Sequence, residues 1–272
     1  MHPDLHHLIC RRLHRSFLTK LPLAAIAAAA LLLAPQGASA ISALGTVSVL
    51  VGFDNGNPGA TQTLTAEELG CASAGSNGEL SCVGGGLTGT AGGWTVNSWN
   101  LFVDPDPTVS NSISVTNNTL ATQTFIFSVT LPVSLTFGPP SFIKGSISGS
   151  ATDNNGAGSG VALGTSGGIS LYQALIDGSP VKTLHDDPFS VSATADFDTA
   201  TIPLANFGIP IAEASGVATT TDIGITLRFT LSPGDSAAIT SVFNVEPIPE
   251  PTTAIMLLAG LTGLARMGRP RR

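Results

Sequence analysis

The chain has 272 residues, of which 43% are hydrophobic and only 11% charged, and its formal net charge is −7. That average hides a division: between Ile41 and Ile248, three basic residues (Lys144, Lys182 and Arg228) stand against sixteen acidic ones, a net of −13. A nucleic-acid surface needs a basic stripe to release counterions from phosphates, so this body excludes nucleic acid as a partner.

The N-terminus reads as an export signal. Arg11, Arg12, Arg15 and Lys20 form a basic region, Leu21 to Ala34 is an apolar run, and Ala38-Ser39-Ala40 is a small-x-small site. This is the layout of a secretory signal peptide over residues 1–40, a signal helix with cleavage expected between Ala40 and Ile41. An N-terminal membrane anchor is the alternative, but the apolar run is short and Pro35 ends it. The Arg11-Arg12 pair suggests twin-arginine export, yet Leu13, His14 and Arg15 fit that pattern badly.

The body, residues 41–247, is rich in Val, Ile, Thr and Phe, so it can bury a core. Thr46–Val51 is the first strand candidate; Thr65–Leu69 suggests about one turn of helix. Cys71 and Cys82 are an even pair in an exported chain, which predicts a disulfide. It closes a loop containing Gly75, Ser76, Asn77 and Gly78. The glycines that follow, from Gly84 to Gly93, read as a flexible stretch. Thr95–Val103 and Ser112–Thr116 are the next strands. Strict alternation follows in Phe125, Phe127, Val129 and Leu131, with Ile126, Ser128 and Thr130 opposite. Ile143–Ala151, Ile169–Ile176 and Ser190–Phe197 continue the series, and Gly156 to Gly168 reads as a long turn. Ile223, Ile225, Leu227, Phe229 and Leu231 repeat the alternation. Asp222–Leu231, the turn Ser232–Asp235 and Ser236–Val245 together predict a hairpin. Turn clusters such as Asp104-Pro105-Asp106-Pro107, Asn117-Asn118, Asp153-Asn154-Asn155-Gly156 and Asp177-Gly178 separate the strands. The expected fold is all-β, an antiparallel β-sandwich of the immunoglobulin-like or jelly-roll-like kind, as one large domain or two small ones.

Few residues suggest chemistry. His185 is the one histidine beyond the signal peptide, in His185-Asp186-Asp187-Pro188. No G-x-S-x-G elbow accompanies it, so a catalytic triad is disfavoured and a solvated loop is expected. Asp196-Phe197-Asp198 would place two carboxylates on one strand face, as a glycosidase pair needs, or simply form a surface edge. No catalytic residue is assigned, and the chain reads as non-enzymatic. No cofactor motif is present, and calcium is the one candidate ion. It takes oxygen ligands, which Asp104 and Asp106, or Asp153, Asn154 and Asn155, could supply. Each group is more often just an ordinary turn. The spacing after Asp153 is not an EF-hand, with Gly164 where the closing Glu would stand. Trp94, Trp99 and Tyr172 are either core residues or stacking surfaces for sugars. The two tryptophans, five apart, are expected on opposite faces of one strand.

The C-terminus, residues 248–272, carries the most specific signal. Pro249, Glu250 and Pro251 precede an uncharged run, Thr252 to Ala265, and then Arg266, Arg269, Arg271 and Arg272. As a helix the 14-residue run would span about 21 Å, short of a bilayer core of about 30 Å. It suits transient rather than permanent insertion, with the arginines cytoplasmic. The two prolines keep the chain extended just before the membrane. This tail resembles the PEP-CTERM sorting signal. The resemblance implies a Gram-negative, exopolysaccharide-producing bacterium, recognition by an exosortase-type processing enzyme, and a transient stay in the inner membrane. The destination it implies is the cell surface or the extracellular matrix. It covers only the tail and leaves the body's role open: a matrix protein, a carbohydrate-binding module or, least favoured, a glycan hydrolase.

Overall fold

The computed structural model describes residues 47–55, 60–89, 92–133, 136, 138–139, 141–156, 158, 160–247 and 259–262. The expected signal helix and most of the expected C-terminal helix lie outside the described residues. Residues 259–262 are helical and exposed. No helix among the described residues is long and apolar enough to cross a membrane.

The body consists of two antiparallel sheets, and the chain crosses between them repeatedly. β1 (Ser48–Phe53) and β2 (Thr61–Thr65) belong to the first sheet. β3 (Ala72–Ser73), β4 (Leu80–Gly84), β5 (Leu87–Thr88), β6 (Trp94–Asp104) and β7 (Thr108–Asn117) belong to the second. β8 (Gln123–Pro132) returns to the first and β9 (Ser141–Thr152) to the second. β10 (Val161–Gly164), β11 (Tyr172–Ile176), β12 (Ser179–Leu184) and β13 (Ser190–Ala193) extend the first. β14 (Thr199–Phe207) and β15 (Glu213–Ser215) lie in the second, β16 (Asp222–Leu231) in the first and β17 (Ser236–Pro247) in the second. The main strand orders are β12-β11-β16-β8-β1-β2 and β14-β9-β17-β7-β6-β4-β3.

The sheets meet across one hydrophobic cluster. Ile223, Ile225, Leu227, Phe229 and Leu231 of β16 all point inward, as their alternation predicts, and Ile239, Phe243 and Val245 of β17 are buried in the same cluster. Burying each such side chain stabilises the fold by about 1.5–3 kcal/mol. Phe125 stacks on Phe229 with ring centroids 5.5 Å apart and meets Phe53 edge-on at 4.9 Å. Tyr172 of the first sheet is buried, and its hydroxyl donates to the Val242 carbonyl of the second at 2.9 Å. Within the second sheet, buried Asn111 donates to Ser241 at 2.8 Å, and the two residues stand directly opposite in the β7–β17 register. The Asn111 carbonyl oxygen has no partner there. A one-residue slip would lose that polar pair and turn every buried side chain outward, so the pair reinforces the register.

Three expectations are corrected. Asp222–Leu231 and Ser236–Val245 do not form a hairpin: β16 pairs with β8 and β11, whereas β17 pairs with β7 and β9. Residues 232–235 form an arch between sheets, because their backbone bonds to Asn117 rather than closing a two-strand ladder. Asn117 N–H donates to the Asp235 carbonyl at 2.9 Å, and Gly234 N–H donates to the Asn117 carbonyl at 2.8 Å. The tryptophans do not face opposite ways either. A bulge in β6 between Val96 and Ser98 shifts the alternation, so Trp94, Val96, Trp99, Leu101 and Val103 share the inner face. Finally, the turn assigned to residues 156–168 contains β10. The Asp177-Gly178 turn does close a hairpin, β11–β12, with φ of 50° and 71° as a two-residue turn of this type requires.

The glycines after Cys82, expected to be flexible, cover the tryptophan rings. A Cβ on Gly84 would stand 2.2 Å from Cζ2 of Trp99, and one on Gly89 would stand 2.2 Å from Cε2 of Trp94. Three of the four strands that end the main sheet orders are blunted. β14 bulges at Pro203 and Leu204, β12 carries Pro180 and Lys182, and two-residue β3 is tied to β4 by the Cys71–Cys82 disulfide. Proline, bulges and charge all discourage strand addition.

Asn117 is fully buried, and its side chain bonds to both arches that meet there. Its amide donates to the carbonyls of Ala121 (2.9 Å), Leu231 (2.9 Å) and Ser232 (3.1 Å). Its oxygen accepts from the Thr119 N–H and hydroxyl at 3.0 and 2.8 Å. Replacing it strands several buried partners, so Asn117→Ala is expected to lose about 3 kcal/mol of stability in urea titrations. Leu120→Ser, three residues on and 99% exposed, is expected to stay within about 0.5 kcal/mol.

Candidate functional site

The residues of the two address signals lie outside the described residues: Ala38, Ala40 and Ile41 at the front, and Pro249, Glu250, Pro251, Arg266, Arg269, Arg271 and Arg272 at the back. The described body runs to the end of β17 at Pro247. Cys71 and Cys82 are bonded, closing the β3–β4 hairpin.

The calcium candidates separate to opposite ends of the sandwich. Asp104 and Asp106 sit together in the β6–β7 turn, where Asp104 accepts from the Asp106 N–H at 2.9 Å. Burial pushes the Asp104 carboxyl up, with the charges of Asp106 and Glu79 adding to it. The cleft beside them is lined by Thr108, Asn244 and Glu246. Asn244 donates to Thr108 at 2.6 Å, and Glu246 is paired with Lys144. Asp153 stands at the far end, and its oxygens are occupied by backbone N–H groups. Oδ1 accepts from Asn155 at 3.0 Å and Gly156 at 3.3 Å, and Oδ2 accepts from Phe197 at 3.1 Å. The Asn155 side chain donates to the Pro233 carbonyl at 2.8 Å. Among the described residues no group of three or more His, Cys, Asp or Glu converges as metal ligands.

The other candidates serve the fold. Trp94 and Tyr172 are buried and Trp99 packs against the core, so none of the three is a surface platform for sugars. The Trp94 indole donates to the Ala60 carbonyl at 3.0 Å, and burial drives the Tyr172 phenol well above its usual range. His185 stacks on Phe189 with centroids 4.1 Å apart, and its Nε2 bonds to the Pro203 carbonyl at 2.9 Å. That nitrogen therefore carries the proton. Neighbouring Asp186 accepts from Ser170 at 2.7 Å and Asp187 from Thr165 at 2.8 Å. The Ser-His-Asp residue types are present, but the serine meets the acid and not the histidine. Asp196 and Asp198 do not lie on a strand: β13 ends at Ala193, and Phe197 adopts φ 56°. The alternation that would aim both carboxylates the same way is absent.

The most concentrated polar chemistry was not apparent as a site in the sequence. Four sheet crossings meet around Asn117, Asp153 and Asp235, which are 0%, 1% and 0% exposed. All three basic residues of the body are paired elsewhere: Arg228 with Asp54, Lys144 with Glu246 and Lys182 with Glu213. No cation of the body therefore neutralises the two buried aspartates. Donor supply divides their roles. Three N–H groups converge on Asp153, and the bond from Asn155 is the leading cause that holds its carboxyl below the usual range. Asp235 has one short contact with the Ser232 hydroxyl and one long one with Asn154 N–H at 3.4 Å. Burial pushes Asp235 up, and bonding to anionic Asp153 adds to this. The two buried carboxyls are thus pushed in opposite directions, Asp153 toward the charged form by its N–H donors and Asp235 toward the neutral form by burial and its charged neighbour. Only the spread of Asp and Asn over separate turns hinted at it. Compared with protein-family models and with curated proteins, the chain matches none.

The sign of the pH effect follows from the two shifts. Asp235 is raised, so its contribution is complete below the ordinary Asp value of about 3.9 and is lost as pH rises through its folded value. Asp153 is lowered, so its contribution is present above about 3.9 and is lost as pH falls. Asp235→Asn keeps a donor toward Asp153 without a titrating group. Urea midpoints taken from about pH 4 to about pH 8 are expected to show that the loss of stability on the alkaline side shrinks in Asp235→Asn relative to the parent. An unchanged difference across that range would show that Asp235 is not raised by its surroundings.

Proposed function

We propose that this chain is an exported, non-enzymatic protein of the cell surface or the exopolysaccharide matrix, delivered and cleaved through its C-terminal signal. The observation that carries the reading is the tail itself: Pro249-Glu250-Pro251, a short uncharged run and four arginines within the last seven residues. In this reading the signal peptide ends at Ala40, export machinery moves the body across the inner membrane, and residues 252–265 hold it there as a short hydrophobic helix. An exosortase-type enzyme then removes the tail. The body is a sandwich of the immunoglobulin-like or jelly-roll-like kind. Its disulfide suits an oxidising compartment, and its acidic, lysine-poor exterior suits a hydrated polysaccharide environment and no nucleic acid. The carbohydrate-binding alternative loses Trp94, Trp99 and Tyr172 to the core, and needs a different surface.

Mass spectrometry of the protein recovered from the native host's surface and medium tests this directly. The expected species begins at Ile41 and ends near Pro249, and alanine at Pro249, Glu250 and Pro251 together is expected to leave a membrane-bound form that retains Arg272. An intact tail on the wild-type surface form would make the segment an ordinary anchor and overturn the sorting reading.

A further inference from the structure

Phe197 runs against stability twice. It is 69% exposed, and it adopts φ 56°, a left-handed conformation costly for a bulky side chain. Among the described residues, two other non-glycine residues share that region. Asp177 sits in an Asp-Gly turn that favours it, and His185 is of a type enriched there. Phe197 is the large apolar member of the three. Folding alone is better served by Gly or Asn at such a position, and strain held in place by its surroundings points toward a use for the side chain.

The surroundings do hold it. The Phe197 N–H donates to buried Asp153, and the Asp153 N–H donates to the Asp198 carbonyl at 3.0 Å. The ring lies against Gly156: a Cβ there would stand 2.4 Å from Cζ of Phe197. The result is an aromatic ring seated on backbone, turned to solvent, on a segment fixed by the buried Asp153–Asp235 pair. Exposed Asp196 and Asp198 flank it in sequence, and exposed Asn154 follows Asp153. Asp196 accepts one bond from Gly158 N–H at 2.9 Å and Asp198 one from Thr199 N–H at 2.7 Å, so each keeps acceptor capacity for a ligand.

We propose that Phe197 is a stacking platform for an uncharged glycan, with Asp196, Asp198 and Asn154 accepting hydrogen bonds from its hydroxyls. The chemistry selects that class. A sugar ring offers a C–H face to the aromatic and hydroxyl donors to the exposed acceptors on the same and adjoining segments. A polyanion or a phosphate headgroup meets carboxylates instead, and the body's three cations are already paired elsewhere. A single ring is far smaller than the roughly 800 Å² per partner of a stable protein interface. The inference rests on the exported-body reading only for where the glycan is met, since binding itself is independent of how the chain ends are processed.

The test is an NMR titration of the full chain in mild detergent with cellohexaose and with mannohexaose, using oligogalacturonate as the anionic comparison. The expected result is a saturable shift of the Phe197, Asp196 and Gly156 amides with a neutral hexasaccharide and none with the anionic one. Phe197→Gly removes the ring and relieves the strained φ, so it is expected to weaken binding roughly tenfold while melting at the same temperature or higher. Phe197→Trp is expected to retain binding. No saturable shift with either neutral hexasaccharide, unchanged affinity in Phe197→Gly, or equal binding of oligogalacturonate would each overturn the proposal. A failure of the sorting signal would instead show in the masses of the chain ends and leave this titration unaffected.

Discussion

The constraint that governs this fold is the need to satisfy polar backbone where the chain crosses from one sheet to the other. A hairpin closes its own ladder, but an arch leaves N–H and C=O groups facing the core, where each unmade bond costs about 1–3 kcal/mol. Asn117 answers that need at the meeting point of two arches. Its amide and carbonyl reach residues 119, 121, 231 and 232, and its backbone reaches residues 234 and 235. Asparagine is suited to this because it presents two donors and an acceptor on a short side chain. These bonds close this end of the sandwich over the apolar interior.

Electrostatics follow the same economy of polar groups. With three cations in the whole body, acidic side chains must be stabilised by N–H groups, hydroxyls or protons. Asp177 shows the hydroxyl and amide solution. Burial raises its carboxyl, yet bonds from Thr220, Thr221 and Asp222 together hold it well below the usual carboxylate range. Asp153 shows the amide solution, and Asp235, with fewer donors, is pushed toward its neutral form. The exposed pairs contribute little, as solvent-screened ion pairs do.

Much of the architecture was legible in the sequence because period two is a local property. The alternation in residues 125–131 and 223–231 gave both the strand and its buried face, and Asp177-Gly178 was legible as a turn, though not the β12 strand it leads into. What failed was anything that depends on partners distant in sequence. The turn at 232–235 has ordinary turn composition whether its flanking strands pair or part. Only the positions of β7, β8, β9 and β11 decide between those outcomes. The bulge near Asn97 shifted the tryptophans by one place, and no residue type announces it. Short strands such as β10 and β12, rich in glycine or interrupted by proline, carried too little pattern to be seen. The candidate ligands were found by residue type, but burial and donor geometry, which sequence does not contain, assigned Asp153 to the interior and brought Asp235 to it.

The scarcity of cations has a consequence for resistance to proteolysis. Proteases of the trypsin kind cut after lysine or arginine, and they need several residues of extended, unpaired chain to do so. The body offers them Lys144, Lys182 and Arg228. Each lies inside a strand, β9, β12 or β16, and each side chain is already held by a carboxylate. Cleavage at any of them requires the sheet to open first, and the rate then follows the rare opened state rather than the folded surface. The body between Ile41 and Ile248 thereby offers almost no accessible sites for this class of enzyme.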